Sequence, residues 1–377
     1  MNKSILKYNQ IFASLNSSFI SLPTPLNISY WWNFGSILGL LMIIQILSGF
    51  ILSIHYCPNI SFAFTSVIYI NQNIKNGWLL HFIHMNGASF LFLSIIPHIF
   101  RGIYYSSFKK KGTWLIGWIL LLFLMLSAFL GYILPWGQMS YWGATVITNL
   151  LSTIPFIGKM MVEWIWGGFS INNSTLNRFF SFHFIFPLIM LIYISLHLIF
   201  LHSSGSNNPL GINSNMWKIP FHPFFSFKDI FGYTLILSFF FVFMLISPYK
   251  LGDPENFIPA DPMKTPIHIQ PEWYFLFSYA ILRSIPNKIG GVILMFLSIS
   301  SILILPLFKQ MFNSLHFYPI SQYLFWMFFF SLTYLSWLGS QQITNLYISL
   351  SQMFSLTYFM FYIILFLSNF IWDKMMY

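Results

Sequence analysis

Charged residues are scarce in this sequence. Only 6% of its 377 residues are Asp, Glu, Lys or Arg, whereas 57% are hydrophobic. A soluble domain normally has about a quarter of its residues charged, so the composition excludes an ordinary soluble fold. Several apolar runs reach the ~20 residues that a helix needs to cross about 30 Å of hydrocarbon. We therefore predict an integral membrane protein.

Cysteine and acidic residues are also rare. Cys57 is the one cysteine, which excludes disulfides within the chain and Cys-ligated zinc or iron–sulfur sites. With seven acidic and 17 basic residues, the formal net charge is +10. The basic residues flank apolar runs instead of forming one patch, so we predict topological charges and no nucleic-acid partner. Residues 1–27 lack the features of a secretory signal, and we expect insertion to use internal spans.

The apolar runs predict eight transmembrane helices in an all-α fold. Pro, Gly and Trp interrupt the segment 135–169, which predicts a helical hairpin at the membrane interface. We interpret 55–76, 202–209 and 248–288 as loops. The predicted spans are 33–54, 77–105, 112–134, 175–201, 230–247, 289–308, 320–340 and 347–371.

Eight spans place both termini on one side of the membrane. Ten basic residues fall on that side and seven on the other, while five of the seven acidic residues lie opposite the termini. The positive-inside rule therefore predicts that the termini face the negative side. The ten basic residues are Lys3, Lys7, Arg101, Lys109, Lys110, Lys111, Lys218, Lys228, Lys309 and Lys374.

Four histidines lie within two predicted spans at matched spacing. His84 and His98 are 14 residues apart, as are His183 and His197. Fourteen helical residues rise ~21 Å and end ~40° short of four full turns, so each pair occupies one helix face at two depths. A single membrane histidine can also make a helix–helix hydrogen bond. A metal site without a porphyrin would need ligands converging on one point.

Two facing imidazoles at each depth instead suit two six-coordinate haem irons that carry electrons. No Cys-x-x-Cys-His motif occurs, so the haems would be non-covalent and b-type. We predict an N-terminal dihaem bundle of four spans plus the hairpin in 1–210, and a C-terminal region of four spans in 211–377. Gly35 and Gly49, and Gly117 and Gly131, are also 14 apart. They favour either close helix packing or passage of a flat macrocycle.

Two haems at two depths need a redox reaction at each end, which suggests a quinone as the reactant. The motif Pro271-Glu272-Trp273-Tyr274 offers a partly buried carboxylate as a base for a quinol hydroxyl. At the other end, His202 and the pair Lys228-Asp229 suit proton delivery to a reduced quinone. An interfacial anchor and ordinary membrane-end polar residues remain the alternatives.

Nearly the whole chain resembles the cytochrome b family of mitochondrial bc1 complexes. The resemblance is carried by 77–78 (Gly-Trp), 84–89 (His-Met-Asn-Gly-Ala-Ser), 101–105 (Arg-Gly-Ile-Tyr-Tyr), 135–140 (Pro-Trp-Gly-Gln-Met-Ser), 142–150 (Trp-Gly-Ala-Thr-Val-Ile-Thr-Asn-Leu), His202 with 205–209 (Gly-Ser-Asn-Asn-Pro), 271–274 (Pro-Glu-Trp-Tyr) and 282–288 (Leu-Arg-Ser-Ile-Pro-Asn-Lys). One unsplit chain of eight spans with two spacings of 14 resembles the bc1 type more than the divided b6f type.

The resemblance implies a role for each candidate residue. His84 and His183 would ligate a low-potential haem, and His98 and His197 a high-potential haem. The four glycines would pack against the macrocycles, with Arg101 and Arg178 near propionates. Ubiquinol would be oxidised in a pocket bounded by Gly143, Ile147, Glu272 and Tyr279. A quinone site on the matrix side would include Ser36, His202, Ser206, Lys228 and Asp229.

The resemblance also implies a setting for the chain. It would be the catalytic subunit of a quinol–cytochrome c oxidoreductase in the mitochondrial inner membrane, with its termini in the matrix. Its partners would be a Rieske iron–sulfur protein, cytochrome c1, other bc1 subunits and a second copy of the complex. The chain departs from the family pattern at His81, where Arg is usual, at Phe100, where Gly is frequent, and at Pro97. Pro97 is expected to kink or loosen its helix just before His98.

Two other functions are compatible with parts of the pattern. A dihaem anchor of another quinone-linked oxidoreductase would be smaller and would not need the acidic Pro-Glu-Trp-Tyr loop. A transporter with histidine proton relays would show internal repeats, broken helices and acids at mid-membrane. Neither repeats nor such acids are evident in this sequence.

Overall fold

The described part of the chain is mainly helical and contains one short two-stranded ribbon. The structure is a computed structural model that describes residues 9–376. Lys3 and Lys7, two of the ten basic residues assigned to the side of the termini, lie outside the described residues. The helices are α1 (Gln10–Leu15), α2 (Phe34–His55), α3 (Ala63–Asn73), α4 (Gly77–Tyr104), α5 (Lys111–Ile133), α6 (Gln138–Asn149), α7 (Gly158–Trp166), α8 (Asn173–Ser204), α9 (Phe224–Ile246), α10 (Leu276–Ser284), α11 (Lys288–Ser300), α12 (Pro319–Gly339) and α13 (Asn345–Met375).

The ribbon joins two distant segments of the chain. Strand β1 (Pro23–Pro25) pairs antiparallel with β2 (Lys218–Pro220), with Thr24 opposite Ile219. The pairing ties the segment that precedes α2 to the segment that precedes α9. The segments that lead into α2 and α9 are therefore held next to each other.

Seven of the described helices are long and apolar enough to cross a membrane. They are Tyr30–His55, Gly77–Tyr104, Lys111–Ile133, Asn173–Ser204, Phe224–Ile246, Lys288–Leu307 and Asn345–Met375. The eighth predicted span is present as α12, a helix of 21 residues. Its mean hydropathy is lower because serines, tyrosines and Gln322 alternate with its apolar residues.

Burial in these helices differs from that in a soluble protein, because small polar residues are buried while many large apolar side chains are exposed. Ser48, Ser89 and Ser127 are each at most 6% exposed, whereas Leu47 and Ile192 are about 60% exposed. Small polar residues let helices approach closely within a membrane, where large apolar side chains gain nothing by leaving the lipid. The pattern confirms an all-α membrane fold.

The N-terminal half is built from two helix pairs. Helix α2 packs along α4, and α5 packs along α8. Leu41, Phe90 and Met190 belong to the core between these pairs, which α9 closes with Phe240 and Met244. Helices α10 to α13 form a second core with Ile103 and Phe108. The two histidine-bearing helices, α4 and α8, therefore belong to different pairs that face one another.

Two predicted loops contain helices. Helix α3 lies in the segment 55–76, and α10 lies in 248–288. Both are short, at 11 and 9 residues, so no long apolar run marks them. In α10, Leu276, Ala280 and Ser284 recur every four residues and are buried, so tertiary packing selects the helix.

The predicted hairpin is present as α6 and α7, joined by a 3-10 turn at Leu150–Thr153. Neither helix is long enough to span the hydrocarbon. Helix α4 runs without interruption through Pro97, and α8 likewise contains Pro187. Helix α8 also continues past the expected start of the 202–209 loop and ends at Ser204, before Gly205 with φ of 71°.

Candidate functional site

The first histidine pair joins α4 to α8. The ring centres of His84 and His183 are 6.0 Å apart, and the rings are perpendicular at 89°. His183 Nδ1 lies 2.8 Å from the backbone oxygen of Ser127, which can only accept a hydrogen bond. We therefore assign the proton of His183 to Nδ1, which leaves Nε2 with its lone pair free for a ligand.

His84 is held in the same tautomer by a serine. Its Nδ1 lies 3.1 Å from Ser48 Oγ on α2. The Ser48 hydroxyl already donates to the backbone oxygen of Ile44 at 2.7 Å, so its lone pair accepts from His84 Nδ1. Such partners on the far nitrogen orient metal-binding histidines and set their tautomer. Both members of this pair thus present Nε2 as a potential ligand.

The second pair lies 14 residues further along α4 and α8. The ring centres of His98 and His197 are 6.3 Å apart, with an interplanar angle of 51°. Arg101 donates from its guanidinium to His98 Nδ1 at 3.4 Å, and it also stacks on Trp32 at 5.3 Å. His197 Nδ1 faces the backbone of Thr113 without reaching hydrogen-bond geometry. Because His98 Nδ1 accepts the Arg101 hydrogen bond, the proton of His98 lies on Nε2, so ligation of a metal through Nε2 would require Arg101 to release Nδ1. The second pair is therefore less well prepared for a metal than the first.

Each of the four predicted glycines lies against one of the four histidines. On α2, a Cβ added to Gly35 would lie 3.4 Å from His98 Cε1, and one added to Gly49 would lie 2.7 Å from His84 Cε1. On α5 the corresponding distances are 3.1 Å from Gly117 to His197 and 2.5 Å from Gly131 to His183. Distances below about 3 Å are closer than van der Waals contact permits. The glycines therefore keep space free around the imidazoles.

The two pairs fit a metal with one ligand on each side. Two metal–nitrogen bonds of about 2 Å, each extended by roughly 1 Å to the ring centre, separate the ring centres by about 6 Å. Residues 9–376 contain no group of three His, Cys, Asp or Glu side chains suited to one metal ion. Each pair therefore suits an ion whose other donors come from a macrocycle, as in haem.

Arg101 carries a buried positive charge with an unused donor. Its Nε is buried and has no hydrogen-bond partner. The one salt bridge within residues 9–376 joins Lys159 and Glu163, so Arg101 has no acidic partner there. A buried unpaired charge is costly unless an anion completes it. A propionate beside His98 would be such an anion.

The other predicted propionate partner is engaged elsewhere. The guanidinium of Arg178, at the start of α8, donates to the backbone oxygen of Trp164 and, at 3.2 Å, to that of Ile165. These carbonyls belong to the last turn of α7, where a cation is favoured. Arg178 thus joins the interfacial hairpin to α8, and its proximity to a propionate stays a prediction.

The Pro-Glu-Trp-Tyr motif is anchored on α4. Trp273 Nε1 donates to Ser89 Oγ at 3.1 Å, and Tyr274 stacks on Phe92 with ring centres 3.9 Å apart. Both contacts lie within three turns of His84 on the same helix. The two aromatic anchors thereby fix the position of Glu272, which directly precedes them.

The surroundings of Glu272 make it a proton acceptor near neutral pH. Burial raises the pKa of its carboxyl to about 7, while a hydrogen bond from Tyr132 lowers it and the charge of Asp253 raises it. A base with a pKa near the working pH is well suited to proton transfer. Tyr132 did not stand out in the sequence. Its position directly after Gly131, at the end of α5, was the available signal.

The remaining predicted quinol-site residues lie on two short helices. Gly143 and Ile147 are one turn apart on α6 and share a face. A Cβ added to Gly143 would meet no atom within 4 Å, so space lies open in front of it. On α10, Tyr279 donates to the backbone oxygen of Ile269 at 3.2 Å and carries the guanidinium of Arg283 on its ring at 4.8 Å.

At the opposite end, the structure brings together part of the predicted group. The hydroxyl of Ser36 on α2 donates to the backbone oxygen of Asn33 at 2.8 Å and lies near the carboxyl of Asp229 on α9. Lys228 turns away, donating to the backbone oxygen of Ile28 at 2.6 Å and contacting the Tyr30 ring at 4.8 Å. The remaining two members lie at the end of α8: His202 in its last turn and Ser206 just beyond it.

The three departures from the family pattern have different surroundings. Phe100 is 9% exposed and packs against Phe325 and Phe328, so it serves the C-terminal core. His81 has a buried Nδ1 without a hydrogen-bond partner. Nothing in the structure explains Pro97.

Comparisons with known proteins agree with this geometry. A family model described as "Cytochrome b/b6/petB" matches residues 19–205, and one described as "Cytochrome b(C-terminal)/b6/petD" matches residues 259–359. Among solved structures, a chain of a hyperthermophilic respiratory Complex III is 34% identical. The match covers 97% of this chain and 98% of that chain, with a TM-score of 0.92.

Proposed function

Because the chain belongs to the cytochrome b family of bc1-type respiratory complexes, we propose that it is their dihaem subunit, which oxidises quinol on one side of the membrane and reduces quinone on the other. The observation that carries the proposal is the pair of histidine–histidine contacts between α4 and α8, at 6.0 and 6.3 Å. Facing imidazoles at two depths are what electron transfer across a bilayer requires.

Four histidines would hold two non-covalent b-type haems. His84 and His183 would hold the low-potential one, and His98 and His197 the high-potential one. When bound, these haems supply one-electron transfer from the quinol side to the quinone side. Ser48 and the Ser127 carbonyl orient the first pair through Nδ1. Arg101 would neutralise a propionate of the second haem, and Gly35, Gly49, Gly117 and Gly131 leave room for the rings.

At the quinol end, Glu272 would accept the hydroxyl proton. The support for this role is the burial of Glu272, which raises the pKa of its carboxyl to about 7, together with the hydrogen bond from Tyr132 and the smaller contribution of the Asp253 charge. Gly143 and Ile147 would bound the quinol pocket on α6, and Tyr279 would bound it on α10. One electron would then leave to a Rieske iron–sulfur protein and on to cytochrome c1, while the second crosses the membrane, as in a Q cycle.

At the quinone end, Asp229 and His202 would deliver protons to the reduced quinone. The proximity of Ser36 on α2 to Asp229 on α9 supports this assignment. Lys228 and Ser206 would complete the pocket. Because Lys228 now contacts Ile28 and Tyr30, binding would require its long side chain to turn towards the ligand.

The setting is part of the same proposal. From the resemblance to mitochondrial bc1 complexes, we place the chain in the mitochondrial inner membrane with both termini in the matrix. The distribution of lysine and arginine supports the side assigned to the termini. Other bc1 subunits and a second copy of the complex would surround it. We also propose a division into a dihaem region, 1–210, and a C-terminal region, 211–377. The two helix cores cross this boundary, since Phe240 and Met244 of α9 join the N-terminal core, and Ile103 and Phe108 join the C-terminal one.

An optical redox titration of the assembled complex tests the proposal. Two b-type components with different potentials are expected in the reduced-minus-oxidised spectrum. The His183→Leu variant should lose one component and half of the non-covalent haem, because one of two iron sites loses a ligand. The His197→Leu variant should lose the other component. A spectrum without b-type bands, or a His183→Leu spectrum that retains both, would refute the ligand assignment.

A further inference from the structure

An open cavity of about 510 Å³ lies at one end of the helix bundle. It is lined by the start of α5, the segment that follows α11 and the last turns of α13. Six of its lining residues carry the argument: Lys109, Lys111, Leu307, Lys309, Phe370 and Asp373.

The single acid of the cavity is already engaged. Asp373 accepts hydrogen bonds from the Tyr318 hydroxyl at 2.7 Å and from the backbone N–H of Met311 at 3.0 Å. One of the lysines is also engaged: the Lys109 ammonium donates to three oxygens, which belong to Gln310, Phe312 and Asn313. Asp373 and Lys109 therefore stabilise the lining of the cavity through hydrogen bonds within the chain.

The other two lysines are free to bind an anion. Lys111 and Lys309 are both exposed, and neither forms a salt bridge within residues 9–376, where Lys159 and Glu163 form the one such pair. Lys111 also begins α5, a helix of 23 residues whose first N–H groups attract negative charge. The cavity thus carries two uncompensated ammonium groups.

The cavity also has apolar lining residues that are exposed. Leu307 ends the spanning segment Lys288–Leu307 and is 73% exposed. Phe370 lies in the last two turns of α13 and is 47% exposed. A ligand that fills this cavity therefore meets both cations and exposed apolar side chains, at the end of the membrane-spanning helices.

We propose that this cavity binds an anionic phospholipid, with Lys111 and Lys309 contacting its phosphate and Leu307 and Phe370 packing against its acyl chains. Basic pockets between membrane helices recognise anionic headgroups in this way. A free phosphate offers the same charge but would leave the apolar wall without a partner. The proposal depends on neither the haem nor the quinone assignments.

Native mass spectrometry of the delipidated complex, titrated with phosphatidylglycerol, tests the proposal. A lysine near an anionic lipid contributes about 1 kcal/mol, so Lys111→Gln and Lys309→Gln should each raise the dissociation constant of one bound lipid about fivefold. Lys309→Arg should retain binding because it keeps the charge. Lys250→Gln is the matched control, since Lys250 is an exposed lysine outside the cavity. Size-exclusion chromatography confirms that each variant is assembled.

Each result supports or overturns the proposal. A higher dissociation constant for phosphatidylglycerol in both glutamine variants, together with weak binding of phosphatidylcholine to the wild type, supports an anionic lipid. Equal phosphatidylglycerol binding by wild type and the double variant Lys111→Gln/Lys309→Gln overturns it. Displacement of the lipid by millimolar inorganic phosphate would show a simple anion site. An acidic segment of another subunit cross-linked to Lys309 would show a protein contact, and either finding would overturn the lipid assignment.

Discussion

The burial of the Glu272 side chain predicts a pH dependence of quinol oxidation. Its carboxyl has a pKa raised to about 7, principally by burial. A general base acts when it is deprotonated, so the active fraction grows as pH rises through that value. We expect the rate of quinol oxidation by the complex to increase between about pH 6 and about pH 8. Steady-state reduction of cytochrome c, measured across this interval, checks the expectation.

If Glu272 is the base, as proposed, replacing it removes the base and its pH dependence together. Glu272→Gln keeps the size of the side chain but cannot accept the proton, and general base catalysis typically contributes 100-fold or more. We expect a loss of about 100-fold near neutral pH, with a flattened profile. Glu255→Gln, in an exposed 3-10 turn of the same loop, is the control and should retain the activity. A Glu272→Gln complex with the wild-type profile would exclude Glu272 as the base.

Tyr132 affects the pKa of the Glu272 carboxyl and does not itself accept the proton in the proposed function. Its hydrogen bond lowers the pKa of the carboxyl, because a donor stabilises the charged form. Tyr132→Phe should therefore raise that pKa and move the midpoint of the activity profile to higher pH, while the rate at high pH is retained. A role in packing alone would change the rate without moving the midpoint. The pH profile of the variant therefore separates the two roles.

At the scale of helices, the contact of α5 with α8 depends on glycine. A Cβ at Gly131 would lie 2.5 Å from His183 Cε1, so the imidazole would have to move. Gly131→Ala should therefore displace His183 and reduce the b-type component that this histidine supports. Gly39→Ala is the matched control, because a Cβ there meets no atom within 4 Å. Redox titration of both variants measures the difference, and unaltered titrations for Gly131→Ala would contradict the steric argument.

The same helices show what the sequence could and could not predict. Long apolar runs mark α2, α4, α5 and α8 to within a few residues, because membrane burial requires them. Spacing of 14 predicts which histidines share a face, since it follows from helix geometry alone. It does not predict which glycine meets which histidine, because that depends on how helices cross. Helices such as α10 escape detection because packing, and not composition, selects them.

The hydrogen bond between Tyr132 and Glu272 could not be predicted from the sequence, for a related reason. Tyr132 lies in the last turn of α5, whereas Glu272 follows the fifth span, and no local pattern links the two positions. The contact arises only when the loop is anchored on α4 through Trp273 and Tyr274. Roles that depend on such long-range docking need the folded structure, even when the motif itself is evident.

At the scale of the whole molecule, the proposed orientation in the membrane can be tested by labelling one residue. Cys57, the one cysteine of the chain, is exposed just beyond the end of α2. One crossing by α2 places Cys57 on the side opposite to the termini, where the proposal puts quinol oxidation. A membrane-impermeant maleimide should therefore label this chain in vesicles that expose the intermembrane side, and not in inverted vesicles. Cys57→Ser, in which labelling is lost, and detergent-solubilised complex, in which both preparations react, are the controls. Labelling confined to inverted vesicles would reverse the orientation. It would exchange the sides assigned to Glu272 and Asp229 while leaving the histidine pairs between α4 and α8 unchanged.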